Sequence, residues 1–68
     1  MNIAVNGSLR AVEAPVPLID LLAEIVGPEP PPGIAVAVNG EVVRRPCWKD
    51  VQIADGDSIE IVKAAQGG

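Results

Sequence analysis

The sequence IAVAVNGEVVR, residues 34–44, contains two apolar segments joined by Asn39-Gly40. Apolar side chains at Ile34, Val36 and Val38 recur at every second residue, so one face of a strand would carry all three. Asn-Gly favours the positive φ angles of a two-residue hairpin turn, and the second segment is then predicted to pair back on the first. The stretch therefore predicts a β-hairpin with one strongly apolar face.

A second Asn-Gly pair, Asn6-Gly7, follows an alternating strand near the start of the chain and predicts a first hairpin. Residues 9–13 are expected to pair back, but their alternation is weak. Arg10 is in phase with the core candidate Val12, whereas Leu9 is out of phase with it. The two faces of this strand therefore stay unassigned.

One amphipathic helix is predicted between the hairpins. Pro17 suits its first turn, where a missing N–H costs nothing, and Gly27 is placed to end it. The proline-rich residues 28–33 that follow predict a stiff, extended surface loop. The apolar residues of the helix recur at i, i+3, i+4 and i+7, which puts them on one face: Leu18, Leu21, Leu22 and Ile25.

The final predicted strand covers residues 58–62 and is entered through the turn residues Asp55-Gly56-Asp57. A 3₁₀ or irregular segment at 47–50 and a minor strand near 51–53 are expected before that turn. One helix packed on one mixed sheet buries these apolar faces, which gives an α+β domain over residues 1–63.

Residues 64–68, AAQGG, contain no bulky side chain, so we expect a flexible C-terminal tail. Five extended residues reach roughly 17 Å, far enough to enter a cleft in a second protein. Glycine has no Cβ, so Gly67-Gly68 could pass through a narrow channel and present an ionised carboxylate as an oxygen nucleophile.

Composition excludes several functional classes. The chain has 68 residues, one cysteine, no histidine and a net charge of -4. A single thiol cannot form an internal disulfide, and histidine is the commonest residue for acid–base catalysis and metal binding. The negative charge argues against nucleic acid, and no leader or membrane span is evident. We expect a cytoplasmic protein without nucleic-acid or membrane partners that is not itself an enzyme.

The ordered set of these features resembles the ThiS family of sulfur carriers in thiamine biosynthesis. The most specific part is AVNGEVV at residues 37–43 with Arg45 and Trp48, joined to Asp55-Gly56-Asp57 and to the terminal Gly67-Gly68. The resemblance covers essentially the whole chain. It implies a ubiquitin-like β-grasp fold, in which a mixed sheet of about four or five strands packs on one helix.

The resemblance also implies a function and partners. A ThiF-like adenylyltransferase would use ATP to adenylate the carboxylate of Gly68, while Gly67, Gln66 and Ala65 thread into that partner. A persulfide donor would then supply the sulfur of a thiocarboxylate, which a ThiG-like thiazole synthase consumes. The chain itself would bind no cofactor. Two alternatives stay open: a MoaD-like small subunit of molybdopterin synthase, and a non-covalent β-grasp binding module or protein modifier.

A docking surface is predicted at Val62, Ala35 and Ala37, which fall on the sheet face away from the helix, where a solvated sheet would carry polar residues. Simple tolerance of small side chains is the alternative.

Four further residues have two interpretations each. Cys47 could accept a persulfide, but an inert, partly buried thiol is favoured because no histidine is present to activate it. Trp48 is favoured as a core residue over an interface anchor. Arg44 and Arg45 could bind phosphate or an acidic partner, or could form a solvated basic rim.

Overall fold

The computed structural model describes residues 1–13 and 15–63. The predicted tail at 64–68 lies outside the described residues. A 3₁₀ segment spans Arg45–Asp50. The other elements in chain order are β1 (Asn2–Val5), β2 (Ser8–Ala11), β3 (Val16–Pro17), α1 (Leu18–Val26), β4 (Ile34–Val38), β5 (Glu41–Val43), β6 (Gln52–Ile53) and β7 (Ser58–Lys63).

The main sheet has five strands in the order β2-β1-β7-β4-β5. Strand β7 pairs parallel to β1 and antiparallel to β4, while the two hairpins β1–β2 and β4–β5 are antiparallel. The predicted mixed sheet with one helix is therefore confirmed. The last strand lies in the centre of the sheet, so the segment leading to residue 64 leaves from between the two hairpins.

Both predicted hairpin turns are present. Asn6 and Asn39 each have φ of 51°, and the following Gly7 and Gly40 have φ of 84° and 85°. Two successive positive φ angles are the requirement of a type I′ turn, which asparagine and glycine meet with the least strain.

Helix α1 begins one residue later than the sequence suggested. Pro17 is the N-cap, with φ of -62° and ψ of 145°, and does not lie in the first turn. The reason is that Pro17 belongs to β3, which pairs antiparallel with β6 in a separate two-stranded sheet. The N–H of Leu18 donates to the carbonyl of Val51 at 2.7 Å, which continues this pairing into the helix start. Gly27 ends the helix at φ of 103°, as predicted.

Strand β2 is shorter than the predicted residues 9–13, and all four of its residues are exposed. Its faces are now assigned by register. Arg10 lies opposite the buried Ile3, on the helix side, whereas Leu9 lies opposite Ala4 on the outer side and is 84% exposed. Because β2 is an edge strand, its helix-side Arg10 stays exposed, and its guanidinium reaches Glu24 Oε1 of α1 at 3.4 Å.

The core lies between the helix side of the main sheet, α1 and the 3₁₀ segment. Trp48 is 2% exposed, and its indole Nε1 donates to the carbonyl of Val43 at 2.8 Å. Satisfying that N–H allows the largest side chain of the chain to be buried, which confirms Trp48 as a core residue. The buried residues are Ile3, Leu18, Leu21, Leu22, Val36, Trp48, Ile53 and Ile59.

Candidate functional site

The candidate site is the C-terminal half of β7 together with the sheet surface beside it. Ile59, in the middle of the sheet, is fully buried and fixes the strand to the core. Lys63 is the last described residue and still pairs with Ile34 of β4. The predicted acceptor Gly68 and the threading residues Gly67, Gln66 and Ala65 lie outside the described residues, and their roles remain predictions.

The outer face of the sheet brings together the predicted docking residues. Ala35 lies directly opposite Val62, and Ala37 lies between Glu60 on one side and Val42 on the other. Val62 is 58% exposed and Val42 is 72% exposed. Directly opposed residues on one sheet face are neighbours, so these four apolar side chains lie together beside the end of β7, with the exposed Glu60 next to Ala37. Sequence reasoning missed Val42, although a two-residue turn at Asn39-Gly40 places it opposite the predicted Ala37.

The two Asn-Gly turns bind opposite ends of β7 through their side chains. Asn39 Oδ1 accepts from the N–H of Ser58 at 2.9 Å, and its Nδ2 donates to Asp57 Oδ1 at 3.0 Å. Asn6 Oδ1 accepts from the N–H of Ile61 at 2.8 Å, and its Nδ2 donates to the carbonyl of Ile61 at 3.2 Å. The sequence predicted the turns but gave no sign of these long-range contacts.

Aspartates fix the turn that leads into β7. Asp57 Oδ2 accepts from the N–H of Ala54 at 2.8 Å, and Asp55 Oδ1 accepts from the N–H of Asn2 at 2.8 Å. Both carboxylates are therefore used as acceptors for backbone groups, and Gly56 supplies the positive φ of 86° between them.

The side chain of Arg45 is exposed but is engaged by other residues of the same chain. Its Nη1 and Nη2 donate to the carbonyls of Pro30 and Pro31 at 3.1 and 2.8 Å, and its guanidinium carbon lies 4.7 Å from the ring centroid of Trp48. A guanidinium engaged by two carbonyls and an aromatic face does not behave as a free basic rim. Arg44 is exposed.

The predicted burial of Cys47 is wrong, because its side chain is exposed on the 3₁₀ segment. The cysteine occupies a solvent-facing position there, while Trp48 takes the core-facing one.

Within residues 1–13 and 15–63, no polar or charged residue is buried, and no group of three acidic, cysteine or histidine side chains could hold a metal ion. The described helix is too short to cross a membrane. The described part thus offers an exposed apolar surface and a strand that leads to residue 64.

Comparisons with known proteins agree with this arrangement. The model of the ThiS family matches residues 2–68. A crystal structure of a thiamine biosynthesis protein (ThiS) from Geobacter metallireducens superposes with a TM-score of 0.84 at 28% identity, with both chains covered completely. A solution structure of a thiamine biosynthesis protein from the same organism gives 0.75 at 28% identity, covering all of this chain and 88% of the other. No curated sequence matches significantly. The predicted β-grasp fold is confirmed.

Proposed function

The chain belongs to the ThiS family, and we propose that it is a sulfur carrier of thiamine biosynthesis whose reacting group is the carboxylate of Gly68. The observation that supports this most is the family match over residues 2–68, which includes the C-terminal Gly-Gly. The position of β7 supports it further, because a strand anchored in the sheet centre leads directly into residues 64–68.

The proposed chemistry takes place in partner enzymes. A carboxylate oxygen is a poor leaving group, so sulfur cannot replace it until the oxygen is activated. In the proposed cycle, a ThiF-like adenylyltransferase uses ATP to convert the Gly68 carboxylate to an acyl-adenylate with release of pyrophosphate. The terminal sulfur of a persulfide donor attacks the acyl carbon and displaces AMP, which gives an acyl disulfide. A second thiol then cleaves the S–S bond, becomes part of a new disulfide with the donor and leaves the thiocarboxylate, whose sulfur a ThiG-like thiazole synthase takes up. ATP binds to the partner, so the chain needs no cofactor of its own.

The outer sheet surface is proposed to dock on the adenylyltransferase. It consists of Ala35, Ala37, Val42 and Val62, which we call the docking surface. Ala35, Val42 and Val62 are exposed, Ala37 is half-buried, and none of the four belongs to the core cluster. Exposed apolar patches favour protein partners. Val62 lies next to Lys63, the last described residue, so docking here brings the chain end to the same partner. Ala65, Gln66 and Gly67 would then thread into its channel.

The test of the proposal is a change at the chain end. The chain without Gly68, and a chain with one alanine appended after Gly68, are mixed with a ThiF-like adenylyltransferase and ATP. Pyrophosphate release is expected for the unaltered chain and for neither variant, because the carboxylate no longer reaches the α-phosphate of ATP. Adding a persulfide donor and a thiol is expected to raise the intact mass of the unaltered chain by the difference between sulfur and oxygen. Pyrophosphate release that survives both changes would contradict the role of Gly68.

A second assay separates the thiamine route from the alternatives. The thiocarboxylate form is incubated either with a thiazole synthase or with the large subunit of a molybdopterin synthase, each with its substrates. Loss of the added sulfur only with the thiazole synthase is the expected result. Loss only with the molybdopterin enzyme would indicate a MoaD-like carrier, and binding without any mass change would indicate a binding module.

A further inference from the structure

We propose that Asn6 is a positioning residue for the C-terminal segment, because its side-chain amide holds the backbone of Ile61, three residues before Ala64. The inference rests on the proposed function, in which residues 64–68 present the reacting carboxylate. Asn6 itself is distant in sequence from that end and belongs to the first hairpin turn.

Asn6 stands where β1 stops pairing with β7. Its backbone N–H donates to the carbonyl of Ile59 at 2.9 Å, and the chain then turns away through Gly7. Beyond this point the side-chain amide of Asn6 takes the place of β1 backbone groups as hydrogen-bond partner of β7. Its Oδ1 accepts from the N–H of Ile61 and its Nδ2 donates to the carbonyl of Ile61. A primary amide offers the same donor and acceptor as a peptide group, so Asn6 extends the parallel pairing by one residue.

The other side of β7 is held differently. Strand β4 pairs with β7 through Lys63, where Ile34 is the partner. On the β1 side, the strand register ends at Val5 opposite Ile59. The Asn6 amide is therefore the contact that holds the strand from its second side beyond Ile59. A fixed direction at the strand end fixes the point from which the C-terminal segment leaves the domain, which favours productive placement of a terminal group in a partner.

Asn39 provides a matched control within the same molecule. It has the same φ of 51°, is also followed by glycine, and also uses its side-chain Oδ1 to accept from a backbone N–H of β7. Its partner is Ser58, at the start of the strand. Removing the Asn39 side chain therefore removes similar contacts at the end of β7 that is far from residue 64.

The first measurement is amide hydrogen exchange by NMR on the full chain, in the Asn6→Gly, Asn6→Asp and Asn39→Gly variants. Gly-Gly and Asp-Gly both satisfy a type I′ turn, so the backbone of the turn is retained. Exchange of the Ile61 amide is expected to be about tenfold faster in Asn6→Gly, because its acceptor is lost. In Asn6→Asp the acceptor remains, and in Asn39→Gly the contact is untouched, so the rate stays near that of the unaltered chain.

The second measurement is ATP-dependent pyrophosphate release by a ThiF-like adenylyltransferase with each variant as substrate. Asn6→Gly is expected to lower kcat roughly three- to tenfold while KM for the carrier stays within about twofold, because docking is intact and placement is impaired. Asn6→Asp should be intermediate, and Asn39→Gly should match the unaltered chain.

Two results would overturn the proposal: unchanged Ile61 exchange and kcat in Asn6→Gly, or an equal fall of kcat in Asn39→Gly, which would indicate a general loss of stability. If the unaltered chain releases no pyrophosphate, the proposed function fails and the catalytic part of this inference fails with it. Exchange at Ile61 still decides in that case whether Asn6 fixes the end of β7.

Discussion

The two faces of the main sheet carry apolar residues for different purposes. On the helix side, Ile3, Val36 and Ile59 are at most 1% exposed, whereas on the outer side Val42 and Val62 are 72% and 58% exposed. Burial of the first set removes apolar area from water and stabilises the fold. The second set contributes little to folding, and it belongs to the surface that we propose docks on a partner. Substitutions on the two faces should therefore separate stability from partner binding.

The largest expected effect follows from truncating the helix-side face. Ile59→Ala leaves a cavity at the centre of the sheet and should lower the free energy of unfolding by about 2–5 kcal/mol. A domain of 68 residues has only about 3–10 kcal/mol of stability in total. Urea denaturation followed by tryptophan fluorescence would measure the loss, with Ile59→Val as a milder variant costing about 0.5–1.5 kcal/mol.

Val62→Ala is the matched control on the outer face of the same strand. Its side chain is already 58% exposed, so the expected change is within about 0.5 kcal/mol. A loss as large as that of Ile59→Ala would mean that the outer face also supports the fold, and the distinction between the faces would disappear.

The next largest effect is expected for binding at the docking surface. Val62→Asp places a charge among apolar contacts and should weaken the complex with a ThiF-like adenylyltransferase by about 1–2 kcal/mol, roughly 5- to 30-fold in Kd. Isothermal titration calorimetry measures Kd directly. Gln52→Glu adds the same charge at the exposed position of β6 in the small sheet and should leave Kd unchanged. An equal effect of both substitutions would indicate long-range charge repulsion in place of local docking.

Alternation in the sequence was sufficient to predict the helix side of the sheet and failed only at its edge. Strands β4 and β7 lie in the sheet interior, so every second residue must be apolar, and the pattern of Ile34, Val36 and Ile59 reveals their faces. Strand β2 is an edge strand, so the charged Arg10 can occupy a helix-side position and the apolar Leu9 an outer, exposed one. The pattern there carries no decisive burial signal.

The candidate site was predictable in part. The outer face followed from alternation, because Ala35 and Val62 must lie on the sheet face away from the core-facing positions of their own strands. The amide contacts of Asn6 to Ile61 span 55 residues along the chain, and no local pattern encodes such a pairing. The exposure of Cys47 was also missed, since the orientation of the 3₁₀ segment depends on how Trp48 enters the core.

A smaller effect is expected at the edge of the helix-side layer, where Arg45 joins the proline loop to Trp48. Arg45→Ala removes two hydrogen bonds and an aromatic contact from an exposed side chain, and should cost about 1 kcal/mol. Arg45→Lys should recover less than half of it, because an ammonium cannot engage both carbonyls in the planar geometry of a guanidinium. Urea denaturation of both variants measures the difference, and full recovery with lysine would show that charge alone matters.

The smallest effect is expected at the one helix-side position of β2 that carries a charge. Arg10 Nη2 lies 3.4 Å from Glu24 Oε1 of α1, and the two side chains are 42% and 62% exposed. Exposed ion pairs are screened by water and salt, so a double-mutant cycle with Arg10→Ala and Glu24→Ala should give a coupling of less than about 0.5 kcal/mol. The coupling should fall further in high salt. A larger, salt-independent coupling would mean that this edge is packed like the sheet centre, and the helix-side face would then extend across all five strands.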